Sequence, residues 1–510
     1  MQFISSLVML LVTITACSKK SSIPGSTGNN TNTGHTYYVS PGGSDANAGT
    51  IDNPLRGINT ALSKANPGDT IIVRTGIYYE KVFFPKSGRL DKYITLKAYT
   101  GEKPVIDGTG LSIAGKEALV TISKVNYIVF EGFDVCNYKS STPWVNINGI
   151  LVNEGSGNIT IRRNKIYNIE HNVAPADGRS GHGIEIIGNT SVAMKNILVE
   201  DNEIHDCNTG YSENLTINGY VDGFIIQRNK IYNAENIGID AAGGYWANSV
   251  SAFNYARNGI ISDNEIYNID MTTGPIGGPH GHGAIGIYID GARNIIVERN
   301  KVHEADRGIG IVSENDAYPT ENCIIRNNFV YNCWRTGIYL GGYLNYTTGG
   351  TNNCAVVNNT VFYNNRERGA FGEVEGEIRL TENCNNNTIK NNIVYARPEN
   401  DVFIHKYTST GSNNIIDYNL YYTTGTAKWI WNGTEYTDYA AWKIACGGDT
   451  NSTNGVDPLL ASTSSPDLHI QAGSPAKNSG IVISTDINGS TDIDRNIRIV
   501  NNKISKGAQQ

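Results

Sequence analysis

One phrase comes round eight times between residues 161 and 395: a β-branched residue, two variable positions, Asn, one more variable position, Ile or Val, then in most copies Tyr or His. Ile161 to Tyr167 is the first copy and Ile389 to Tyr395 the last. The Asn positions are 164, 202, 229, 264, 300, 328, 359 and 392, so the period wanders between 27 and 38 residues. A repeat of this length with no helical pattern inside it is built from stacked coils of strand.

Within a coil, Ile161 and Ile166 point inward. Asn164 between them occupies a turn, where its amide satisfies backbone groups and its backbone tolerates a left-handed conformation. Stacking turns these Asn residues into an amide ladder. The next column, Tyr167, His205, Tyr232, Tyr267, His303, Tyr331, Phe362 and Tyr395, reads as rings stacked at the coil spacing of about 4.8 Å, which makes His205 and His303 scaffold. A second phrase, Gly-Ile-x-aliphatic, begins at Gly149, Gly183, Gly238, Gly286, Gly308 and Gly337, and Ile378-Arg379-Leu380 closes the series. Alternation puts its aliphatic residues inside and the middle residue outside. The fold class this implies is all-β: a single-stranded right-handed parallel β-helix. Cys323, Cys354 and Cys384, spaced close to the local period, are expected to stack as a reduced column.

Residues 1–17 read as an export signal, with the apolar run Leu7 to Ile14 followed by Thr15-Ala16-Cys17. The run resembles the lipobox of bacterial lipoproteins, which implies a lipid anchor on Cys17. Ser18 after it implies the outer membrane or surface of a Gram-negative cell. Residues 18–36 form a Ser/Thr/Asn/Gly-rich tether. Residues 37–110 read as an N-terminal cap with the first coils. Asn53-Pro54 starts a helix there, with Leu55, Ile58, Leu62 and Ala65 on one face to cover the open end of the stack. Residues 111–422 carry the β-helix and 423–510 an irregular C-terminal cap. A net charge of −7 argues against nucleic acid as the partner.

Chemistry concentrates on the residue after each Gly-Ile: Leu151, Glu185, Asp240, Tyr288, Gly310, Tyr339 and Arg379. Two positions further along lie Ile187, Ala242, Asp290 and Val312. Glu185 or Asp240 alone reads as a solvated strand residue; the column together reads as a functional trough. Long insertions flank the same strand at 171–182, 270–283 and 364–375 before it, and at 243–256 and 341–352 after it. They carry Tyr245, Trp246, Tyr343 and Tyr346, rings suited to stacking on sugars. His182 and His282 precede the strands and are candidates for proton transfer. His280-Gly281-His282 lacks a third metal ligand in the sequence, so no metal site is assigned. Arg307 and Arg335 either neutralise a substrate carboxylate or pair with Asp306 and Glu304.

Tyr37-Tyr38-Val39-Ser40-Pro41-Gly42-Gly43-Ser44-Asp45, Pro67-Gly68-Asp69-Thr70 and Gly76-Ile77-Tyr78 resemble the entry of family-nine pectate lyases and of chondroitinase-B-like alginate lyases. The chain therefore resembles the pectate-lyase-like superfamily of carbohydrate-active β-helices over nearly its whole mature length. That resemblance implies calcium as a cofactor and a Lys base. The matching stretches read Asp306-Arg307-Gly308-Ile309-Gly310 and Gly337-Ile338-Tyr339-Leu340, where Asp306 alone survives of the calcium motif and Tyr339 stands in place of Lys. Gly286-Ile287-Tyr288-Ile289-Asp290-Gly291 also resembles β-helical glycoside hydrolases.

Three functions follow, each for a monomer acting on a polysaccharide. A lyase would use Arg379, Arg335 or Arg307 to neutralise a uronate, and Tyr339, Tyr288 or His282 as base, its pKa lowered by Arg. A glycoside hydrolase would use Asp290 and Asp240, about 8 Å apart by strand geometry, with Glu185 or Glu314. A surface glycan-binding protein would use the same trough without chemistry. The first is favoured, on the Tyr/Arg column.

Overall fold

Each repeat closes one turn of a coil because its two phrases form strands separated by tight turns, and every strand pairs in parallel with its counterpart in the next coil. Strands Gly157–Arg162, Ile197–Glu200 and Asp222–Gln227 stack through Ile159↔Ile197 and Ile197↔Phe224. The computed structural model describes residues 34–277, 281–367, 375–399 and 401–510. The described residues belong to one compact unit, Thr33–Gln510. Cys17, the export signal, most of the tether and His280 lie outside the described residues. Among the described residues three long sheets result, two of 13 strands and one of 16, parallel except where Trp429–Trp431 pairs antiparallel with Thr434–Tyr436 at the end of one. At about 4.8 Å per step a 13-strand sheet is close to 60 Å long, enough for a groove that holds a chain molecule. The interior is a continuous aliphatic column, with Ile161, Ile166, Ile184, Ile239, Ile287 and Ile338 fully buried.

The amide ladder runs as expected. Asn164 Nδ2 donates to Asn202 Oδ1 at 3.1 Å, Asn202 to Asn229 at 2.9 Å and Asn229 to Asn264 at 3.1 Å, and the run continues to Asn419. One detail differs. The left-handed residue is the one before each ladder Asn, Arg163 at φ 54° and Arg228 at φ 54°. Turning the chain there swings the Asn amide inward, where it satisfies otherwise buried backbone groups. The ring column forms over six of its eight positions: Tyr167, His205, Tyr232, Tyr267, His303 and Tyr331 stack with centroids 4.7 to 5.2 Å apart, whereas Phe362 stacks on Tyr363 and meets Tyr395 edge-on at 89°. The cysteine column is partly corrected. Cys354 Sγ accepts from Cys323 N at 3.3 Å, but Cys384 pairs in register with Thr351, and Asn387 takes the place beside Cys354. The step from Cys354 needs 33 residues rather than 30, because the loop before Cys384 lengthens that coil. All seven described cysteines are free thiols.

At the N-terminal end the helix spans Ile58–Lys64, not Pro54 onward, with Ile58, Ala61 and Leu62 buried. Its first amides are held by distant carboxylates: Gly57 N donates to Asp45 Oδ1 at 2.9 Å and Ile58 N to Glu80 Oε1 at 2.8 Å. At the other end helix Tyr439–Cys446 lays Trp442 against Trp429, ring centroids 5.7 Å apart, and Trp442 Nε1 donates to buried Asp449. The last thirty-odd residues do not stay at that end. They run back along the solenoid, where left-handed Asn391, Asn358 and Asn327 donate to the carbonyls of Ile481, Ser505 and Asn488 at 2.8 to 3.0 Å.

Candidate functional site

The strands of the second phrase form one sheet, and its register aligns the predicted column. Leu151 pairs with Glu185, Glu185 with Thr216, Thr216 with Asp240, Asp240 with Tyr288, Tyr288 with Gly310, Gly310 with Tyr339, and Tyr339 with Arg379. Asp290 pairs with Ala242 in the parallel column two residues on. Glu185, Asp240, Tyr288, Tyr339 and Arg379 thus share one trough. They are nevertheless buried, between 3 and 7 % exposed, because the flanking loops wall the trough in. Two adjoining cavities, about 490 and 410 Å3, occupy it and share Tyr288, Arg307 and Glu314.

The larger cavity is rich in carboxylates. Glu185, Glu213, Asp240, Asp290 and Glu314 all line it. Asp290 is held by two donors, the backbone N–H of Glu314 at 2.7 Å and the phenol of Tyr245. The same Tyr245 oxygen lies 3.3 Å from Glu314 Oε2. A single phenol within reach of both carboxylates holds their oxygens within about 6 Å of each other. Glu314 also accepts from Tyr288 at 2.9 Å and Tyr343 at 3.1 Å, and it is exposed to solvent. Burial pushes Asp290 well above the usual carboxylate range, and the charge of Glu314 adds to this. Asp240 is raised by burial and by Glu213, Asp290 and Glu314, and its Oδ1 accepts no hydrogen bond from a described residue. Carboxylates packed like this share protons rather than all ionising.

Glu213 was invisible to the repeat because its coil reads Asn214-Leu215-Thr216-Ile217 and lacks the Gly-Ile phrase; the alternation Leu215-Thr216-Ile217 was the available signal. Burial and neighbouring Glu185 push Glu213 up to about 8. The fold therefore favours its neutral form. That contribution is complete below an ordinary carboxylate pKa and is lost as pH rises toward 8. Glu213→Gln is expected to match the parent at pH 4 and to be about 2 kcal/mol more stable at pH 8.5, a discounted figure for a shared proton. Urea midpoints at the two pH values test this; an equal effect at both would contradict it.

Several expected roles are corrected by the geometry. Arg307 and Arg335, expected to face a substrate carboxylate or the Asp306 and Glu304 side chains, instead converge with Arg379 on Glu375, with Arg307 Nη2 at 3.2 Å and Arg335 Nη2 at 2.5 Å, while the Arg335 backbone N–H donates to the Asp306 carbonyl at 2.7 Å. Burial alone would raise Glu375, and the guanidiniums of Arg307, Arg379 and Arg335 outweigh it, holding the carboxyl down to about 2. Nor do the arginines prepare a tyrosine base. Burial drives Tyr288 and Tyr339 well above 10, outweighing the nearby Arg307 that favours the phenolate of Tyr339. His282 lines neither cavity. Its Nδ1 lies 2.5 Å from Asp306, and its ring stacks on Trp334 at 4.5 Å, which anchors the loop before the groove. Burial would lower His282, and its bond to Asp306 outweighs this, so its pKa is raised. Asp306, the residue left of the calcium motif, is fully buried and accepts the backbone N–H groups of Met271, Gly283 and Ala284. With Asp270 and His282 it forms a group of potential metal ligands, but its lone pairs already serve those amides.

His182 does line the larger cavity; burial lowers its pKa and keeps the imidazole neutral. Glu185 forms an ion pair with Lys116. Tyr343 and Trp246 stand on the rim, 50 and 91 % exposed.

Residues 37–237 match the family model described as the Pel9A-like, right handed beta helix region. A stretch of 76 residues is 46% identical to pectate lyase PEL9 of Emericella nidulans, covering 14% of this chain and 18% of that one. Among solved structures, the GH136 lacto-N-biosidase of Eubacterium ramulus superposes with a TM-score of 0.51 at 16% identity, over 75% of this chain and 67% of that one, which shows a common fold. The uncharacterized protein YwoF of Bacillus subtilis is 33% identical over 452 residues, 88% of this chain and 93% of its own length. With its first coils matching the Pel9A-like family model and its three long sheets built from stacked coils, the chain, similar to YwoF nearly end to end, belongs to the pectate-lyase-like superfamily of right-handed parallel β-helices.

Proposed function

We propose that the chain is a glycoside hydrolase acting on a polysaccharide with retention of configuration, with Asp290 as nucleophile and Glu314 as acid and base. The observation that carries this is the Tyr245 phenol, which reaches one oxygen of each carboxylate and so brings those two oxygens within about 6 Å; this supports a retaining pair, whose carboxyl groups stand about 5–5.5 Å apart, over an inverting pair, which leaves room for water. Asp290 is buried in the floor with a donor on each oxygen, the fixed placement a nucleophile needs. Glu314 is exposed on the wall, where it can protonate the leaving oxygen through Oε2 and then deprotonate the incoming water. The reaction starts from an ionised Asp290 and a protonated Glu314. Burial opposes the first; the Tyr245 phenol and the Glu314 amide, donating to the two Asp290 oxygens, work against that burial. Asp290 attacks the anomeric carbon as the glycosidic bond breaks; water then displaces Asp290 and restores the proton to Glu314. Asp240, pushed toward its neutral form by burial and by Glu213, Asp290 and Glu314, offers its unpartnered Oδ1 to a sugar hydroxyl beside the reacting centre.

β-Elimination is less well supported. The match to the lyase family model covers residues 37–237 and stops short of Asp240, Asp290, Glu314 and the three arginines, so it speaks for the scaffold. A surface location through a lipid on Cys17 fits such a substrate and remains part of this proposal. Incubation with xylan, arabinan, polygalacturonate, alginate and chondroitin sulfate, following reducing ends beside absorbance at the unsaturated-uronate band, tests the reaction. We expect new reducing ends without that absorbance, and proton NMR of the first product should show the substrate's anomeric configuration. Unsaturated product, or no product from any of these polymers, would overturn the reading.

A further inference from the structure

Two tryptophans combine features that a folded chain normally avoids together. Trp144 has φ 60° and Trp246 φ 53°, and they are 76 and 91 % exposed. A left-handed backbone disfavours a bulky L-residue, and exposure leaves most of the indole surface uncovered. Trp246 follows Tyr245, which reaches Asp290, so the combination already marks the wall of the catalytic centre. Trp144 marks a second place. It stands two residues before Asn146, which pairs with Lys116 at the far end of the larger cavity. Asn146 Nδ2 donates to Ser180 Oγ at 2.7 Å, and Ser180 Oγ meets Ser212 Oγ at 2.6 Å, a ladder that aligns the rims of three successive coils. In the next coil that rim carries Gly178; a Cβ there would stand 2.4 Å from the Trp144 ring, so the bare glycine makes the bed on which the indole lies. One coil further is Tyr211, 58 % exposed and part of the cavity lining.

We propose that Trp144 and Tyr211 form a distal sugar-stacking platform, so that the substrate is an extended glycan chain held from Trp144 to Asp290. This rests on hydrolysis as the activity of the groove. Four strand steps separate the coil of Asn146 from that of Asp290, roughly 19 Å, which spans three to four pyranoses at about 5 Å each. Sugar rings present apolar faces that indole and phenol rings cover, while their hydroxyls stay in water at the open rim.

The test separates binding from turnover. Electrophoresis through gels containing xylan, arabinan, polygalacturonate or alginate should show one polymer retarding the parent chain, Trp144→Ala losing most of that retardation and Trp144→Phe keeping most of it. On oligomers of the hydrolysed polymer, Trp144→Ala should lower kcat/KM about tenfold for the hexamer and leave the dimer unchanged, the scale of one lost ring contact. Retardation that depends on Trp144 without release of reducing ends leaves the platform standing and removes hydrolysis. Reducing ends with equal effects on dimer and hexamer, or no retardation of the parent in any gel, overturn the platform.

Discussion

Asp290→Asn should lose at least about a thousandfold in kcat while folding and binding glycan like the parent, because a nucleophile takes part in every turnover and an amide cannot replace it. The side chain keeps one acceptor for the Glu314 amide and its volume is unchanged, so the thermal midpoint should move little. Removing a carboxylate from a crowded acidic floor should even relieve repulsion with Glu314 and Asp240. A cavity-forming Asp290→Ala separates the two carboxylates further: added azide should restore turnover and yield a glycosyl azide of inverted configuration, since the small anion occupies the vacated face. Activity within tenfold of the parent for Asp290→Asn would remove Asp290 from the mechanism.

Glu375→Gln should cost about 3 kcal/mol in stability near neutral pH, through loss of the one carboxylate on which Arg307, Arg335 and Arg379 converge. The sign follows from linkage. Its carboxyl is held down to about 2, below the ordinary 4.5, so its contribution is present above about 4.5 and disappears as pH falls through 2. The glutamine variant and the parent should therefore converge in very acidic urea titrations and diverge at pH 7. Because Arg307 lines both cavities, the variant should also weaken glycan binding. A loss below 1 kcal/mol at pH 7 would mean that the arginines hold their places without Glu375.

Periodicity carried most of the fold because each repeat meets only its neighbours. Asn164, Asn202 and Asn229 are far apart in the chain, yet a constant coil path brings each against the next, and the same logic aligned Glu185, Asp240, Tyr288, Tyr339 and Arg379 in one trough. The cysteines show how fragile such counting is: a few extra residues in one loop put Asn387, not Cys384, beside Cys354. Glu213 escaped notice for a similar reason, since its coil lacks the recurrent glycine.

Loops obeyed no repeat, and they decided the chemistry. Tyr245 was legible as a rim aromatic but not as the phenol joining Asp290 to Glu314, and Glu375 gave no sign of gathering three arginines. Burial then reversed the expected electrostatics, raising the tyrosines that Arg307 was expected to make basic. Strand pattern and amide ladder follow from local alternation and nearest-neighbour stacking, which a linear text records directly. Side chains delivered by loops of unequal length meet only in three dimensions, where desolvation and the charges of neighbours distant in the chain set which group holds a proton.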